Sequence, residues 1–264
     1  MTAKLPISVF IIAKNEADRI PYTIKSVVDW VDEVHVIDSG SEDDTMQIST
    51  ELGAKAVYNP WPGYGPQKNF GESLCRNKWL INLDADEEIT PELRDQIRAL
   101  FAQSEPPLKA YSFTRKLMHF IEKSGTYGHT DHPIRLYHSD CAGFKDSTVH
   151  DSVTWKGEKQ HVGLLSGLLL HRCFRSYKHM VDKINFYSTM QSEDMFRRGR
   201  RPSSLRLVIE PFFSFFKALF IRGYILRGVT GFVESILYAF ARTLRLAKTR
   251  ALYIAAERAN KTPL

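Results

Sequence analysis

Residues 79–88 read Trp79-Leu-Ile-Asn-Leu-Asp-Ala-Asp-Glu-Glu88, a short apolar run that ends in two aspartates spaced two apart. An apolar run of this length is expected of a strand covered on both faces. Side chains at i and i+2 of a strand share a face, so Asp84 and Asp86 are expected side by side. Two carboxylates so held repel unless a cation sits near them. Oxygen ligands suit Mg²⁺ or Mn²⁺, and Mg²⁺ commonly takes one or two carboxylates plus substrate phosphates. The competing reading is an acidic turn before a helix, whose dipole favours carboxylates. Glu87 and Glu88 are expected to face away or to open the next loop. Thr90-Pro91 then supplies an N-cap and a first-turn proline.

Upstream, strand and helix patterns alternate. Ile7-Ser-Val-Phe-Ile-Ile-Ala13 is a first strand, and Ile20, Ile24, Val27, Val28 and Val31 recur at helical spacing. Glu33 to Asp38 is a second strand, Thr45 to Leu52 a helix with Gly53 as its C-cap, and Ala54 to Tyr58 a third strand. A Pro- and Gly-rich loop precedes a short helix from Lys68 to Cys75. This order implies an α/β fold with a mostly parallel sheet and helices on both faces. Ligands of such sheets bind beyond the carboxyl ends of the strands. That rule marks Lys14-Asn15-Glu16, Asp38-Ser39-Gly40 and Asp84-Ala85-Asp86. Asp38 there is suited to a base N–H or a ribose hydroxyl, and equally to a turn held by its own side chain. Between residues 109 and 173, short strand-like runs are expected to add antiparallel strands.

Ser8-Val-Phe-Ile-Ile-Ala-Lys-Asn-Glu16, Val36-Ile-Asp-Ser-Gly-Ser-Glu-Asp-Asp-Thr45, Gly65-Pro-Gln-Lys-Asn69 and Leu83-Asp-Ala-Asp-Glu87 together resemble the family 2 glycosyltransferases. The resemblance covers residues 5 to 175 and implies the GT-A nucleotide-sugar fold. Pro133-Ile-Arg-Leu-Tyr137, Val149-His-Asp-Ser-Val153 and Leu168-Leu-Leu-His171 point within it to the lipopolysaccharide core β-1,4-glucosyltransferase group. The resemblance implies that Ala13 and Glu16 line a uridine pocket, that Asp38 binds uracil and that Lys68 reaches the nucleotide. It gives Asp84 to the ribose and Asp86 to a Mg²⁺ or Mn²⁺ ion. Inverting transfer needs a general base for the acceptor hydroxyl. The group carries Val-His-Glu where this chain has Val149-His150-Asp151, so Asp151 is the expected base, with Asp131 and Asp146 as rivals. His171 completes the metal or diphosphate site, or is a packed histidine. Arg135 meets phosphate, or is a salt-bridging strand residue. The six histidines from His129 to His171 are irregularly spaced and no cysteine pair assists them, which argues against zinc.

The chain has 264 residues, 43% hydrophobic and 25% charged, which excludes a disordered or fibrous protein. Cys75, Cys141 and Cys173 build no disulfide framework, as expected of a reducing compartment. The amino terminus lacks a signal-peptide apolar run. Through His171 there are 18 Lys+Arg against 24 Asp+Glu, a net of −6; from Arg172 there are 18 against 6, a net of +12. An acidic catalytic domain, 1–175, is therefore expected to precede a basic helical extension, 176–264. Phe212, Phe213, Phe215, Phe216, Leu219, Phe220 and Ile221 are interrupted by charges, so interfacial helices on an anionic membrane surface are expected rather than a span. The alternative is packing on the catalytic domain or on a second subunit.

These readings converge on an inverting, metal-dependent transferase. It is expected to take a nucleotide-sugar donor at the cytoplasmic face of the inner membrane, and the resemblance implies UDP-glucose as that donor and a lipid-linked saccharide as the acceptor. Polyprenyl phosphate or a protein is the alternative acceptor. A non-catalytic membrane adaptor or a basic nucleic-acid-binding protein is the alternative class. The pI near 9.1 and Arg197-Arg198-Gly199-Arg200-Arg201 suggest nucleic acid, but no accompanying motif supports it and the amino-terminal part is acidic.

Overall fold

The computed structural model describes residues 4–102, 105–121, 126–145 and 152–259. The chain divides into two compact units, Met1–Cys173 and Phe174–Leu264.

The first unit contains strands β1 (Leu5–Ala13), β2 (Val31–Asp38), β3 (Lys55–Tyr58), β4 (Trp79–Asp84), β5 (Glu87–Ile89), β6 (Ala110–Met118), β7 (Thr126–Asp131), β8 (Ile134–His138), β9 (Ala142–Phe144), β10 (Val153–Trp155) and β11 (Gly163–His171). Its helices are α1 (Ile20–Lys25), α2 (Thr45–Glu51), α3 (Tyr64–Leu74) and α4 (Pro91–Leu100). The main sheet runs β3-β2-β1-β4-β8-β6-β11-β5, with β7 on β6. The first four strands in that order are parallel. β8 then runs antiparallel to both β4 and β6.

β11 meets the expected antiparallel addition on one side only: it runs antiparallel to β5 but parallel to β6. The long connection through β7 to β10 returns the chain to the starting edge, which a parallel pair requires. α1 is also shorter than its apolar spacing suggested. After Lys25 the buried Val27 and its neighbour Val28 sit in a turn, both bonding to the Ile24 carbonyl. α3 starts earlier than expected, at Tyr64, because Pro66 falls in its first turn, where a missing N–H costs nothing.

Both faces of β1 are buried, as its unbroken apolar run requires. Ile7, Val9 and Ile11 join Ile24, Leu93 and Ile97 in one cluster. Phe10 points the other way and meets Leu80, Tyr137 and Phe144. Gly71 lets α3 approach this face, since a Cβ there would lie 2.7 Å from the Phe10 ring. Thr90 caps α4 as expected, accepting from Leu93 N. Parallel register sets Ala13 opposite Asp38 and Ile12 opposite Asp84. The carboxyl ends of β1, β2 and β4 therefore lie level.

The second unit contains α5 (Tyr177–Arg197), α6 (Ser204–Phe216), a π-helical segment (Lys217–Ile221), a 3-10 turn (Tyr224–Arg227) and α7 (Gly228–Ala259). Ser176 and Ser203 cap α5 and α6 through their hydroxyls. α7 packs along both α5 and α6. The charges that interrupt the aromatic run are partly turned inward: Glu210 is buried and accepts from Arg242 and Ser214. Glu234 is buried against Arg227. Phe212, Phe213, Phe216, Phe220, Ile221 and Leu226 are exposed instead. Among the described residues no helix is long and apolar enough to cross a membrane.

Candidate active site

The loop after β1 turns sharply at Asn15, which has φ +55°. Asparagine tolerates that left-handed conformation better than most residues. Its side-chain carbonyl accepts from Glu42 N and its own N–H donates to Ser41 Oγ, both at 2.8 Å. Glu16 N donates to Thr45 Oγ1 at 2.8 Å. The loops after β1 and β2 are thus laced into one wall. Asp38, 1% exposed, accepts from Gly40 N and Ser41 N at 2.8 Å, and from the Ser41 hydroxyl. The turn-holding task foreseen for Asp38 is therefore present in the structure.

The third loop of the wall comes from α3. Gln67, fully buried, donates to Ser39 Oγ at 3.0 Å and accepts from Asn59 Nδ2 at 2.6 Å, tying the ends of β2 and β3 together. The next residue, Lys68, is also fully buried. It sits 3.1 Å from Asp84 Oδ1 and lies over the Phe144 ring.

Asp84 and Asp86 do not share a strand face as expected. β4 ends at Asp84, and Ala85-Asp86 form a turn into β5, so strand parity stops one residue too early. The two carboxylates take different partners. Asp84 binds Lys68 and, at 2.8 Å, Arg135 Nη2. Asp86 lies 3.2 Å from Arg19 Nη1 and 3.3 Å from His171 Nε2. Arg19 in turn grips Glu16 with two hydrogen bonds of 2.6 and 2.7 Å. Burial alone would raise the Asp84 carboxyl, but Arg135 and Lys68 hold it well below the usual carboxylate range. Burial likewise opposes ionisation of Asp86, and His171 and Arg19 outweigh it and lower its pKa. Burial would push His171 down, whereas its hydrogen bonds to Asp86 and Cys173 raise it to about 10.

Glu87 was expected to face away or to open a loop, and the structure corrects this. It has no exposed surface. Its Oε1 accepts from Arg135 Nη2 and, at 3.0 Å, from Arg115 Nη1; its Oε2 accepts from Asp84 N at 3.1 Å. Arg135, itself buried, also donates to Asn82 Oδ1 at 2.9 Å. The salt-bridging alternative for Arg135 is the arrangement seen. Arg115 continues the chain by clamping Asp131 through two hydrogen bonds of 2.9 and 2.5 Å. Ala13 is buried beside Asp38 at the end of β1. Asp151 and Asp146 lie outside the described residues.

Sequence reasoning missed Arg19, Gln67, Glu87 and Arg115. Gln67 lay inside a block already singled out. Asn82, a polar residue buried in an apolar strand, was a readable sign that a buried partner such as Arg135 exists. Nothing local marked Arg19 or Arg115.

Asp86 offers one carboxylate oxygen, and His171 3.3 Å away offers one imidazole nitrogen once a cation displaces the proton that its partners hold on it. That donor pair fits a divalent cation of the Mg²⁺ or Mn²⁺ kind, with the remaining positions left to substrate phosphates and water. Among the described residues no group of three or more His, Cys, Asp or Glu side chains is set to hold a metal by itself.

Comparison with known proteins bears on the whole arrangement. The family model "Glycosyl transferase family 2" matches residues 8–154, which contain the carboxyl ends of β1, β2, β3 and β4. An uncharacterised glycosyltransferase of Rickettsia typhi is 44% identical over 254 residues, 93% of this chain and 87% of the relative. The lipopolysaccharide core biosynthesis glycosyltransferase LpsC of Rhizobium meliloti is 29% identical over 271 residues, 96% of each chain. Glucosyl-3-phosphoglycerate synthase of Mycobacterium tuberculosis, solved with Mn²⁺, UDP and glucosyl-3-phosphoglycerate, is 25% identical, with a TM-score of 0.36 over 42% of this chain and 44% of that one. The family model spans more than half of the chain and the Rickettsia relative nearly all of it: this protein belongs to glycosyl transferase family 2, as an enzyme built on the GT-A fold.

Proposed function

We propose that the enzyme moves glucose from UDP-glucose, with inversion, to the inner core of lipopolysaccharide or lipooligosaccharide, and that it needs Mg²⁺ or Mn²⁺. The observation that carries the donor half is the level placement of Ala13, Asp38 and Asp84 at adjoining strand ends, with Asp86 one turn beyond. The name of the Rhizobium meliloti relative supports the acceptor half.

In this reading Ala13 and Glu16 line the uridine pocket and Asp38 meets the uracil. Arg19, by gripping Glu16 and facing Asp86, sets the spacing between the nucleoside and diphosphate ends of the donor. Lys68 and Arg135 hold the Asp84 carboxylate ionised and oriented toward the ribose. Asp86 and His171 would hold the cation, which when bound supplies positive charge to the departing diphosphate. A base must take the proton of the acceptor hydroxyl. Asp131 suits that task poorly: although its partial burial opposes ionisation, Arg115 outweighs this and lowers its pKa. Asp151 is therefore our candidate.

The basic helical unit, with its exposed aromatic face, is proposed to rest on the anionic cytoplasmic leaflet of the inner membrane, where a lipid-linked acceptor is presented. UDP release from a panel of UDP-sugars, with and without Mn²⁺, tests the donor half. Glucose should be the preferred donor and chelation should stop release. Mass analysis of lipopolysaccharide from a deletion strain tests the acceptor half, where loss of one inner-core hexose is expected and an unchanged core contradicts it.

A further inference from the structure

The second unit holds a cavity of about 300 Å³ lined by Arg200, Arg201, Arg206 and Arg245, with Asp194 and Gln191. The acidic side chains around it are already engaged. Asp194 pairs with Arg198 at 3.0 Å, and Glu257 pairs with Arg201 at 2.5 Å. Glu210 is held by Arg242 at 3.0 Å and lies 3.6 Å from Arg206. Among the described residues neither Arg200 nor Arg245 has a carboxylate within ion-pair distance. Arg245 donates to Gln191 Oε1 at a long 3.4 Å, and its buried Nε has no hydrogen-bond partner there.

Burial, with Arg242 alongside, pushes the Arg245 guanidinium down from its usual value. Arginine nevertheless stays charged in proteins, so the crowding persists as a repulsion that an anion would relieve. Several guanidinium forks around one cavity match the tetrahedral oxygens of phosphate.

The neighbouring surface says what carries that phosphate. Arg206 stands in the first turn of α6, and on the same helix Leu205, Val208, Ile209 and Phe212 are 69%, 65%, 50% and 65% exposed. A free phosphate or sugar phosphate has no use for such a face. A second copy of the chain would bring two strongly basic units together. We propose that the cavity binds the headgroup phosphate of an anionic lipid while the exposed face of α6 lies against its acyl chains. The proposal rests on the membrane reading above and adds to it a discrete site.

The test is sedimentation of the full-length protein with vesicles of phosphatidylcholine alone or mixed with phosphatidylglycerol. Arg206→Gln/Arg245→Gln is compared with Lys178→Gln/Lys183→Gln, which removes equal charge from the far end of α5. Near-UV circular dichroism first shows that both variants keep the wild-type fold. Wild type should bind the mixed vesicles and not the neutral ones. The cavity variant should bind them at least tenfold more weakly and the control variant within twofold of wild type. Equal losses in the two variants would overturn the site while leaving the membrane reading standing. Failure of wild type to bind vesicles would overturn both. If 10 mM inorganic phosphate or glycerol phosphate displaces the protein from vesicles as fully as the cavity substitutions do, the site takes soluble phosphate and the lipid assignment fails. A dimer in sedimentation velocity that excludes vesicle binding would give the apolar face to a second copy instead.

Discussion

Glu87 and Arg135 form a buried ion pair directly behind Asp84. The pair is coupled to the first aspartate twice: Glu87 accepts from the Asp84 backbone N–H, and Arg135 donates to the Asp84 carboxylate. Removing Glu87 leaves the buried Arg135 with Asp84 alone, so the cost should lie at or below the lower end of the roughly 3–5 kcal/mol of a fully uncompensated buried charge. Glu87→Ala should lose about that much stability by urea denaturation, and Glu87→Gln, which keeps the volume, should lose less. A Glu87→Ala protein as stable as wild type would show that the pair does not organise the strand end.

The base assignment separates three carboxylates. Asp151→Asn should lower kcat by roughly 10²–10⁴-fold with UDP-glucose affinity unchanged, because the base acts on the acceptor. Asp131→Asn should retain turnover within about tenfold, since Arg115 already holds that carboxylate. A dead Asp131→Asn or Asp146→Asn beside an active Asp151→Asn would reassign the role.

Acid should expose a contribution at the opposite end of the sheet. Burial tends to raise the Glu33 carboxyl, but hydrogen bonds from Arg76 N, Ser8 and Lys55, with His35 Nε2 3.2 Å away, bring it down to about 2. The unfolded chain binds that proton with a pKa of about 4.3, so folding favours the ionised form. The stabilisation is complete above about pH 4.5 and fades as pH falls toward 2. It amounts to roughly 2–3 kcal/mol. Glu33→Gln should therefore be less stable than wild type at pH 7, with the gap closing below pH 4.5. A gap independent of pH between 2 and 7 would refute this.

The packing of α4 on β11 gives a steric prediction. A Cβ on Gly167 would lie 2.5 Å from Leu93 Cα, a backbone atom that cannot rotate away. Gly167→Ala should cost about 1–3 kcal/mol, read by thermal or urea unfolding, as overpacking does. An unchanged midpoint would mean that α4 shifts freely.

The legible parts of this fold were those written in short runs. The apolar strands β1, β2 and β4 end in, or are followed at once by, polar residues, and that pattern located Asp38, Asp84 and Asp86 near one another. The arrangement of the two aspartates was not legible, because it depends on where β4 stops. Glu87 and Glu88 look alike in sequence. Their fates diverge because β5 pairs with β11, setting Glu87 opposite His171, and because Arg115 and Arg135 arrive from β6 and β8. Arg19 meets Asp86 only once α1 is folded. Such partners are chosen by tertiary packing, and a local pattern carries no trace of them. The aromatic run looked interrupted by Glu210, whose burial against Arg242 across two helices is also a tertiary choice.

In the proposed reaction Asp86 serves a divalent cation that secures the nucleotide. Calorimetric titration of UDP into the full-length protein, with Mn²⁺ and then with chelator, for wild type and Asp86→Asn, tests it most directly. The account predicts UDP binding to wild type that weakens at least tenfold on chelation, and binding to Asp86→Asn that is weak and insensitive to Mn²⁺. Equal, Mn²⁺-dependent binding by both proteins would contradict it.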